Sequence, residues 1–546
     1  MKPTEQQKII IEHSGNAVII AAPGSGKTFV VSEKIKILLN ELEEYQGLIA
    51  ISYTNKASNE LRERSLRNGI NQKASFFGTI DKFFIAEIIV PFGKHLFGIP
   101  SNDISVVKIE TLEEDKQNLF GWFDRDITVG ELTEENIDLL KYFFKIGILL
   151  IETIGVFANY IFSKSIACRK YLSSRYKYIF IDEYQDSGVN QHEIFLKINE
   201  LGIWGVAVGD LNQSIYAFSG KDSKFLTELT LLDRFKLFKL NKNHRCHPSI
   251  INYSNYLLDP KTELIPTDSN VVYFHRIEGN EINIANWIDA HLDSIKKYFA
   301  IDKNNKIAIL TRGNRTIGII NENLKSPNKV SLTTDLDTSL NIWSGIFSNL
   351  LHFSLDDSFK FIEVVEEFTS YDRLTKQNMT KIIQLKSKVI QLFSTEVLDK
   401  DTIIKTYRQI AEIIAPNSVN KESLELLKGV LNSKNQIDSY KPANDNEINI
   451  MTLHKSKGLE FDAVIHLDLY EWVMPFGANN DQRINNLREW IQDLNLHYVG
   501  ITRAKKACLL ISSTQRTNNA GETRRGIDSE FLWKDNIEKM RFKKAD

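Results

Sequence analysis

Cysteine is scarce, with three residues in 546: Cys168, Cys246 and Cys508. They stand far apart, so the chain has neither a disulfide framework nor the paired CxxC spacing of a zinc site. Net charge is almost absent too, with 68 Lys and Arg against 70 Asp and Glu. A protein that coats nucleic acid by bulk positive charge would be strongly basic. Near-neutrality leaves room for a nucleic-acid track, because a channel reads phosphates with local charge and backbone amides. The opening Met1-Lys2-Pro3-Thr4-Glu5-Gln6-Gln7 lacks the apolar core of a signal peptide. Long hydrophobic runs are missing as well. The most apolar stretch, residues 146–162, contains Glu152, Thr153 and Asn159 and reads as a buried helix, not a membrane span. The expectation is a soluble cytoplasmic protein with length for several cores.

What the chain does have is a series of short apolar runs: residues 17–21, 48–52, 178–181 and 206–208, then 306–310, 463–467 and 507–511. Helical spacing, as over residues 32–42, separates them. Continuous apolar strands between helices predict an α/β protein with parallel sheets covered on both faces. Two stretches of helical period interrupt the pattern, an aromatic-rich one at 82–175 and a Lys- and Glu-rich one at 335–440. They read as insertions. The first α/β unit then comprises 1–81 and 176–250, and the second 251–334 and 441–546. Residues 440–447 have linker composition. Residues 539–546 form a charged tail expected to fray. No internal repeat is visible in the sequence.

Ala21-Ala22-Pro23-Gly24-Ser25-Gly26-Lys27-Thr28 is a P-loop in the required strand–turn–helix context. Gly24, Ser25 and Gly26 let backbone wrap the β- and γ-phosphates, Lys27 supplies a point charge, and Thr28 can ligate Mg²⁺. Tyr178-Ile179-Phe180-Ile181-Asp182-Glu183 places acids at the end of an apolar strand. Asp182 suits the Mg²⁺ shell and Glu183 is placed to polarise an attacking water. After the next strand, Gln213 stands ready to report the state of a γ-phosphate to Tyr216 and Phe218. Two distant arginines, Arg245 and Arg503, are candidates for stabilising transition-state charge, a role worth about 10³ to 10⁵ in rate. A P-loop answered by arginines hundreds of residues away implies hydrolysis coupled to domain motion. His244, Cys246 and His247 lie close in sequence but lack the partner cluster a zinc site needs.

In their order these blocks resemble the superfamily 1A helicases of the UvrD/PcrA/Rep kind. Thr4-Glu5-Gln6-Gln7 looks like the Q motif, Ser52 to Ala57 like motif Ia, and Gly78-Thr79-Ile80-Asp81 like Ib. Asp182 to Asp186 looks like motif II, 209–220 like III, Asn243-His244-Arg245 like IV, 451–461 like V and 498–505 like VI. The resemblance implies two RecA-like P-loop domains, 1A and 2A, closing on ATP, each carrying an insertion, 1B (82–175) or a reduced 2B (335–440). It implies that Gln7 reads the adenine, that Glu460 contacts the ribose, and that Arg245 and Arg503 clamp the γ-phosphate. Single-stranded DNA would cross both domains. Tyr53, Tyr216 and Phe218 would then face bases, and Thr54, Asn55, Thr79, Thr452 and His454 would meet the backbone.

The departures concern the base and the strand. Phe29 and His244 stand where the family often has the Arg and Tyr that sandwich the base. Ser219 replaces the usual Arg of motif III, and Asp81 the usual His of motif Ib. These changes bear on unwinding more than on hydrolysis.

Compactness and the runs Phe77 to Phe83, Glu87 to Phe92, Tyr160 to Lys164 and Asn252 to Asn255 also resemble the helicase-like subunits of Gabija anti-phage systems. That likeness implies a hetero-oligomer with an OLD-family ATPase carrying a Toprim nuclease (GajA), sensing of DNA ends, and hydrolysis of ATP or dATP. A free-standing 3′-to-5′ repair or replication-restart helicase uses the same site, and an ATP-clamped DNA-binding scaffold is the alternative from another class.

Overall fold

The computed structural model describes residues 2–53, 55–102, 104–123, 126–213, 223–339, 341–357, 359–366, 368, 374–395, 397–416, 420–476, 487–518 and 520–542. Its frame is two six-stranded sheets in which every paired strand is parallel. The first runs, edge to edge, Phe76–Gly78, Gly47–Ile51, Tyr176–Ile181, Trp204–Gly209, Ala17–Ala21, Lys236–Leu240. The second runs Asn328–Val330, Ile448–Thr452, Ile307–Thr311, Phe461–His466, Ala504–Ser513, Val272–Ile277. Gly47–Ile51 and Ile307–Thr311 are buried along their whole length, as expected where helices cover both faces. The mixed α/β class, with parallel sheets flanked by helices, is as the apolar runs predicted.

The first insertion is mainly helical but contains a small parallel pair, Ser105–Val107 with Ile148–Leu150. The helix expected from residue 146 therefore starts only at Ile154. Gly147, at φ +83°, breaks the run, and the aliphatic residues after it extend into the strand. From Asp335–Thr338 to Lys434–Ser439 the second inserted stretch is helical, around its own core of Trp343, Phe347, Val389, Tyr407 and Leu427. The helix Lys27–Glu41 begins five residues before its apolar spacing shows, because the glycine turn of the P-loop leads directly into it. The helix Pro248–Leu258 packs with Val272, Met451 and Tyr498 of the second sheet's core, so the passage between units falls a few residues before 250.

The apolar clusters do not cross that passage. Those of the first unit draw on residues from Ile10 to Leu240, those of the second on residues from Cys246 to Ile537. Each unit buries its own apolar surface, and among the described residues the clusters leave the junction to polar groups. Among the described residues no helix is long and apolar enough to cross a membrane.

Gly47 shows how tightly the first sheet is built. A Cβ there would lie 2.6 Å from Ser75 N and would press on the Ala74 backbone, neither of which is a flexible side chain. Gly47→Ala should cost about 2–3 kcal/mol of stability. Urea unfolding that leaves the midpoint unmoved would show that the neighbouring turn gives way freely.

Candidate functional site

The P-loop follows Ala17–Ala21 and closes on three neighbours. Gly24 and Gly26 have φ of +67° and +84°, in the left-handed region that favours glycine. A Cβ on Gly24 would sit 2.5 Å from Asn243 Oδ1 and 2.6 Å from Arg245 Cβ. One on Gly26 would sit 2.8 Å from Gln7 Nε2. His244 N donates to Gly24 O (2.9 Å), Ala22 N to Leu240 O (3.0 Å), and Gln7 Nε2 to Ser25 O (3.0 Å). Gln7 also closes a capping box with Thr4 at the start of the helix Glu5–Glu12. Pro23 is buried, Phe29 packs half-buried against the core beneath the loop, and His244 is exposed.

Lys27 Nζ lies 3.0 Å from Glu183 Oε1. Glu183 occupies the left-handed region, at φ +55°, unusual for a non-glycine residue and typical of functional turns. Its backbone N–H donates to Asp182 Oδ1 at 2.9 Å. Burial alone would raise the Glu183 carboxyl, but Lys27 and then Lys457 outweigh it and hold the group well below its ordinary value. Burial and the charge of Glu183 hold Asp182 above its own. A polar chain continues from this pair. Gln185 Oε1 accepts from Asp210 N (3.0 Å), and Asp210 Oδ2 accepts from Gln213 Nε2 (2.6 Å).

Gln213 is the meeting point with the other unit. Arg503 NH2 donates to Gln213 Oε1 at 3.3 Å, while its Nε and NH1 donate to Val499 O and Leu459 O. Arg503 is 2% exposed. Burial, then the nearby charge of Arg245, brings its pKa down to about 10. Lys457 reaches across in parallel, 2.6 Å from Asp186 Oδ2 and 3.0 Å from Gln213 O. The loops bearing the two arginines are joined, since Cys246 Sγ donates to Thr502 O (3.6 Å) and His247 N to Lys505 O (2.8 Å). Arg245 Nε is 2.6 Å, and Lys505 Nζ 2.5 Å, from the carboxylate of Glu460. Burial works against the charged form of Glu460, but these two cations keep its pKa low.

The structure thus gathers Gln7, the P-loop, Asp182, Glu183, Gln213, Arg245, Glu460 and Arg503 around one cleft at the carboxyl ends of the first sheet. Tyr53, half-buried, lines a small cavity with Ser52, Asp182 and Glu183. Thr79 caps the helix Ile80–Phe83, and Thr452 Oγ1 accepts from Lys455 N at 3.4 Å. His454 is held neutral, with a pKa of about 4, by burial and then by Arg312 and Lys457. Thr54, Tyr216 and Phe218 lie outside the described residues, as does the side chain of Asn55.

The donor set fits a phosphate-bearing group. Ser25 Oγ is buried without a partner, and Lys27 at the start of the following helix supplies a cation beside the loop. Among the described residues no three His, Cys, Asp or Glu cluster as a metal site. Asn243, Asp210, Lys457 and Lys505 carry the geometry without having been assigned a role from sequence. They sit inside recognised blocks, but their partners are up to 271 residues away.

Two family models match the chain: an AAA domain over residues 6–219 and the UvrD-like helicase C-terminal domain over 347–516. The chain is 27% identical to the Gabija protein GajB of Bacillus cereus over 94% of its length and 96% of that protein's. It is 24% identical to the ATP-dependent DNA helicase Rep of Buchnera aphidicola, covering 98% and 96%. To a probable DNA helicase II homolog of Mycoplasma pneumoniae it is 23% identical, covering 94% and 84%. The chain thus carries UvrD-like helicase domains, and such domains bind ATP.

Lys457→Met removes a cation that pairs with buried Asp186 across the junction. Nucleotide-free chain should lose about 2–4 kcal/mol of the coupling between units. Separate unfolding transitions for the two units in the variant, against a merged one in the parent, would register it. Identical traces would show that the pair carries no coupling.

Proposed function

We propose that the chain is the helicase-like subunit of a Gabija anti-phage complex, a DNA-dependent ATPase and 3′-to-5′ helicase that engages single strands or DNA ends. The observation that carries this reading is the Arg503–Gln213 contact between the two units, which supports a role for Arg503 at the transition state and for Gln213 as a γ-phosphate sensor. The likeness to GajB over nearly the whole of both chains supports the Gabija role. In this reading the first α/β unit is domain 1A and the second domain 2A, with 82–175 and 335–440 as the insertions 1B and 2B. The protein works in the cytoplasm. Its partner is an OLD-family subunit with a Toprim nuclease.

When nucleotide enters, its phosphates replace the Glu183 carboxylate as the partner of Lys27. Glu183 is then free to orient the attacking water and accept its proton. Gln7 reads the adenine, Phe29 and His244 flank the base, and Glu460 meets the ribose. Thr28 and Asp182 would hold Mg²⁺, which would neutralise charge on the phosphates. Arg245 and Arg503 meet the charge that develops on the transferring group. Across the top, Tyr53, Tyr216 and Phe218 stack bases while Thr54, Asn55, Thr79, Thr452 and His454 contact the strand. His454, being neutral, acts there as a hydrogen-bond donor and not as a counter-charge.

The match to Rep over 98% of the chain favours a second reading, a free-standing repair or replication-restart helicase. A DNA-binding scaffold that uses ATP only as a clamp has less support, because Lys27, Asp182, Glu183, Arg245 and Arg503 are all present.

Phosphate release from ATP and dATP, without DNA, with circular single strands and with linear DNA, separates these readings. Stimulation by ends, abolished in Lys27→Ala and Glu183→Gln, is expected. Equal stimulation by circles favours the free-standing helicase, and binding without turnover favours the scaffold. Arg503→Ala should lower kcat by about 10³ or more while retaining DNA affinity. Parallel loss of both would remove the arginine from the transition state.

A further inference from the structure

Lys34 lies on the P-loop helix two turns beyond Lys27 and is 2% exposed. A lysine this deeply buried normally has an acidic partner. None of the described carboxylates forms an ion pair with it, and its nearest acidic influence is the charge of Glu41. Instead its ammonium meets backbone carbonyls: Ile10 O at 3.2 Å, Ile11 O at 3.3 Å and His13 O. All three belong to the last turn and cap of the helix Glu5–Glu12, whose own last turn has no basic residue. Carbonyls at a helix C-terminus lack intrahelical donors and carry the negative end of the helix dipole. Three N–H donors against these three oxygens, of which Ile10 O also accepts from His13 N at 3.3 Å, satisfy a buried cation without any carboxylate.

The opposite end of that short helix holds Gln7, whose amide reaches Ser25 O and lies against Gly26. The helix Glu5–Glu12 is therefore fastened to the nucleotide loop at its head by Gln7 and to the P-loop helix at its tail by Lys34. Ile10 and Ile11 pack between, against the core that includes Val30, Val31 and Leu38. An eight-residue helix is marginal alone, so its axial position is set by these fastenings.

We propose that Lys34 is a positioning residue for nucleotide recognition: by capping the helix Glu5–Glu12 it fixes how far Gln7 reaches to the P-loop and the base. This rests on the reading of Gln7 as the base contact. Loosening the tail would let Gln7 withdraw, weakening ground-state binding and base discrimination while leaving Lys27, Glu183 and Arg503 to perform the chemistry.

The experiment uses the full chain as Lys34→Met, Lys34→Arg, Gln7→Ala and the Gln7→Ala/Lys34→Met pair, with ATP and GTP hydrolysis and amide hydrogen exchange as readouts. Lys34→Met should raise KM for ATP about tenfold and compress the ATP-over-GTP preference in kcat/KM, with kcat within about twofold. Lys34→Arg should restore most of both. In the Gln7→Ala background Lys34→Met should add little, because both act through one contact. Additive effects, or a fall in kcat with KM and base preference unchanged, would overturn the proposal. Exchange should speed up in residues 5–13 of Lys34→Met while the helix Lys27–Glu41 stays protected, and unchanged protection of 5–13 would also overturn it. If Gln7→Ala alone leaves KM and base preference untouched, the role of Gln7 fails, and the proposal falls with it even where exchange shows the cap to be real. Should Lys34→Met not fold, Lys34→Gln carries the same comparison.

Discussion

A guanidinium that is 2% exposed must find acceptors within the protein. Arg503 finds three in its own unit, Val499 O, Leu459 O and Thr502 Oγ1, and one, Gln213 Oε1, in the other. The approach of the two sheets is thus tied to the satisfaction of a buried cation. A neutral amide oxygen is a weak answer to that charge, and a phosphate oxygen is a stronger one. The arrangement is therefore poised to tighten when a nucleotide arrives and to relax when the terminal phosphate leaves. Polar contacts suit this work better than an apolar seam. The apolar clusters stop on either side of the passage near residues 241–245, so the halves can separate without exposing a core.

Close backbone approach at the P-loop is the second constraint. Gly24 is in contact with the Asn243–Arg245 loop, and that loop is bonded to the turn bearing Arg503. A nucleotide displacing Gly24 by a fraction of an ångström would be felt by both arginines through hard contacts. Asn243 completes the arrangement, its Oδ1 accepting from Arg245 N at 2.7 Å and Cys246 N at 3.0 Å, which sets the loop's shape before any ligand binds.

How much of this was legible in the sequence depended on whether the signal was local. Interior strands announce themselves as unbroken apolar runs, and of the interior strands only Ile448–Thr452 was not read. Every edge strand was missed: Phe76–Gly78, Lys236–Leu240, Val272–Ile277 and Asn328–Val330. An edge is short or half solvated, and residues such as Lys236, Lys239 and Lys329 dissolve the pattern. The P-loop, the acids at the end of Tyr176–Ile181 and the arginines were legible because glycine spacing and motif context are local. Lys457 with Asp186, and Lys34 with its three carbonyls, were not, since nothing near a lysine in sequence says that a distant group will bury it. The expected stacking residues Tyr216 and Phe218 fall outside the described residues; of the proposed strand contacts, Tyr53, Thr79, Thr452 and His454 lie within them.

The second helical insertion leaves the sheet from the edge strand Asn328–Val330 and returns in its immediate neighbour, Ile448–Thr452. Those strands are parallel, and parallel neighbours cannot be joined by a tight turn; they need a crossover of about a dozen residues or more. The insertion is that crossover, enlarged into a body with its own core. Evolution is then free to swell, shrink or replace it, provided a connection of minimum length survives. Size variation among such chains is consequently steered to the rim of the sheet, where it leaves the nucleotide cleft untouched.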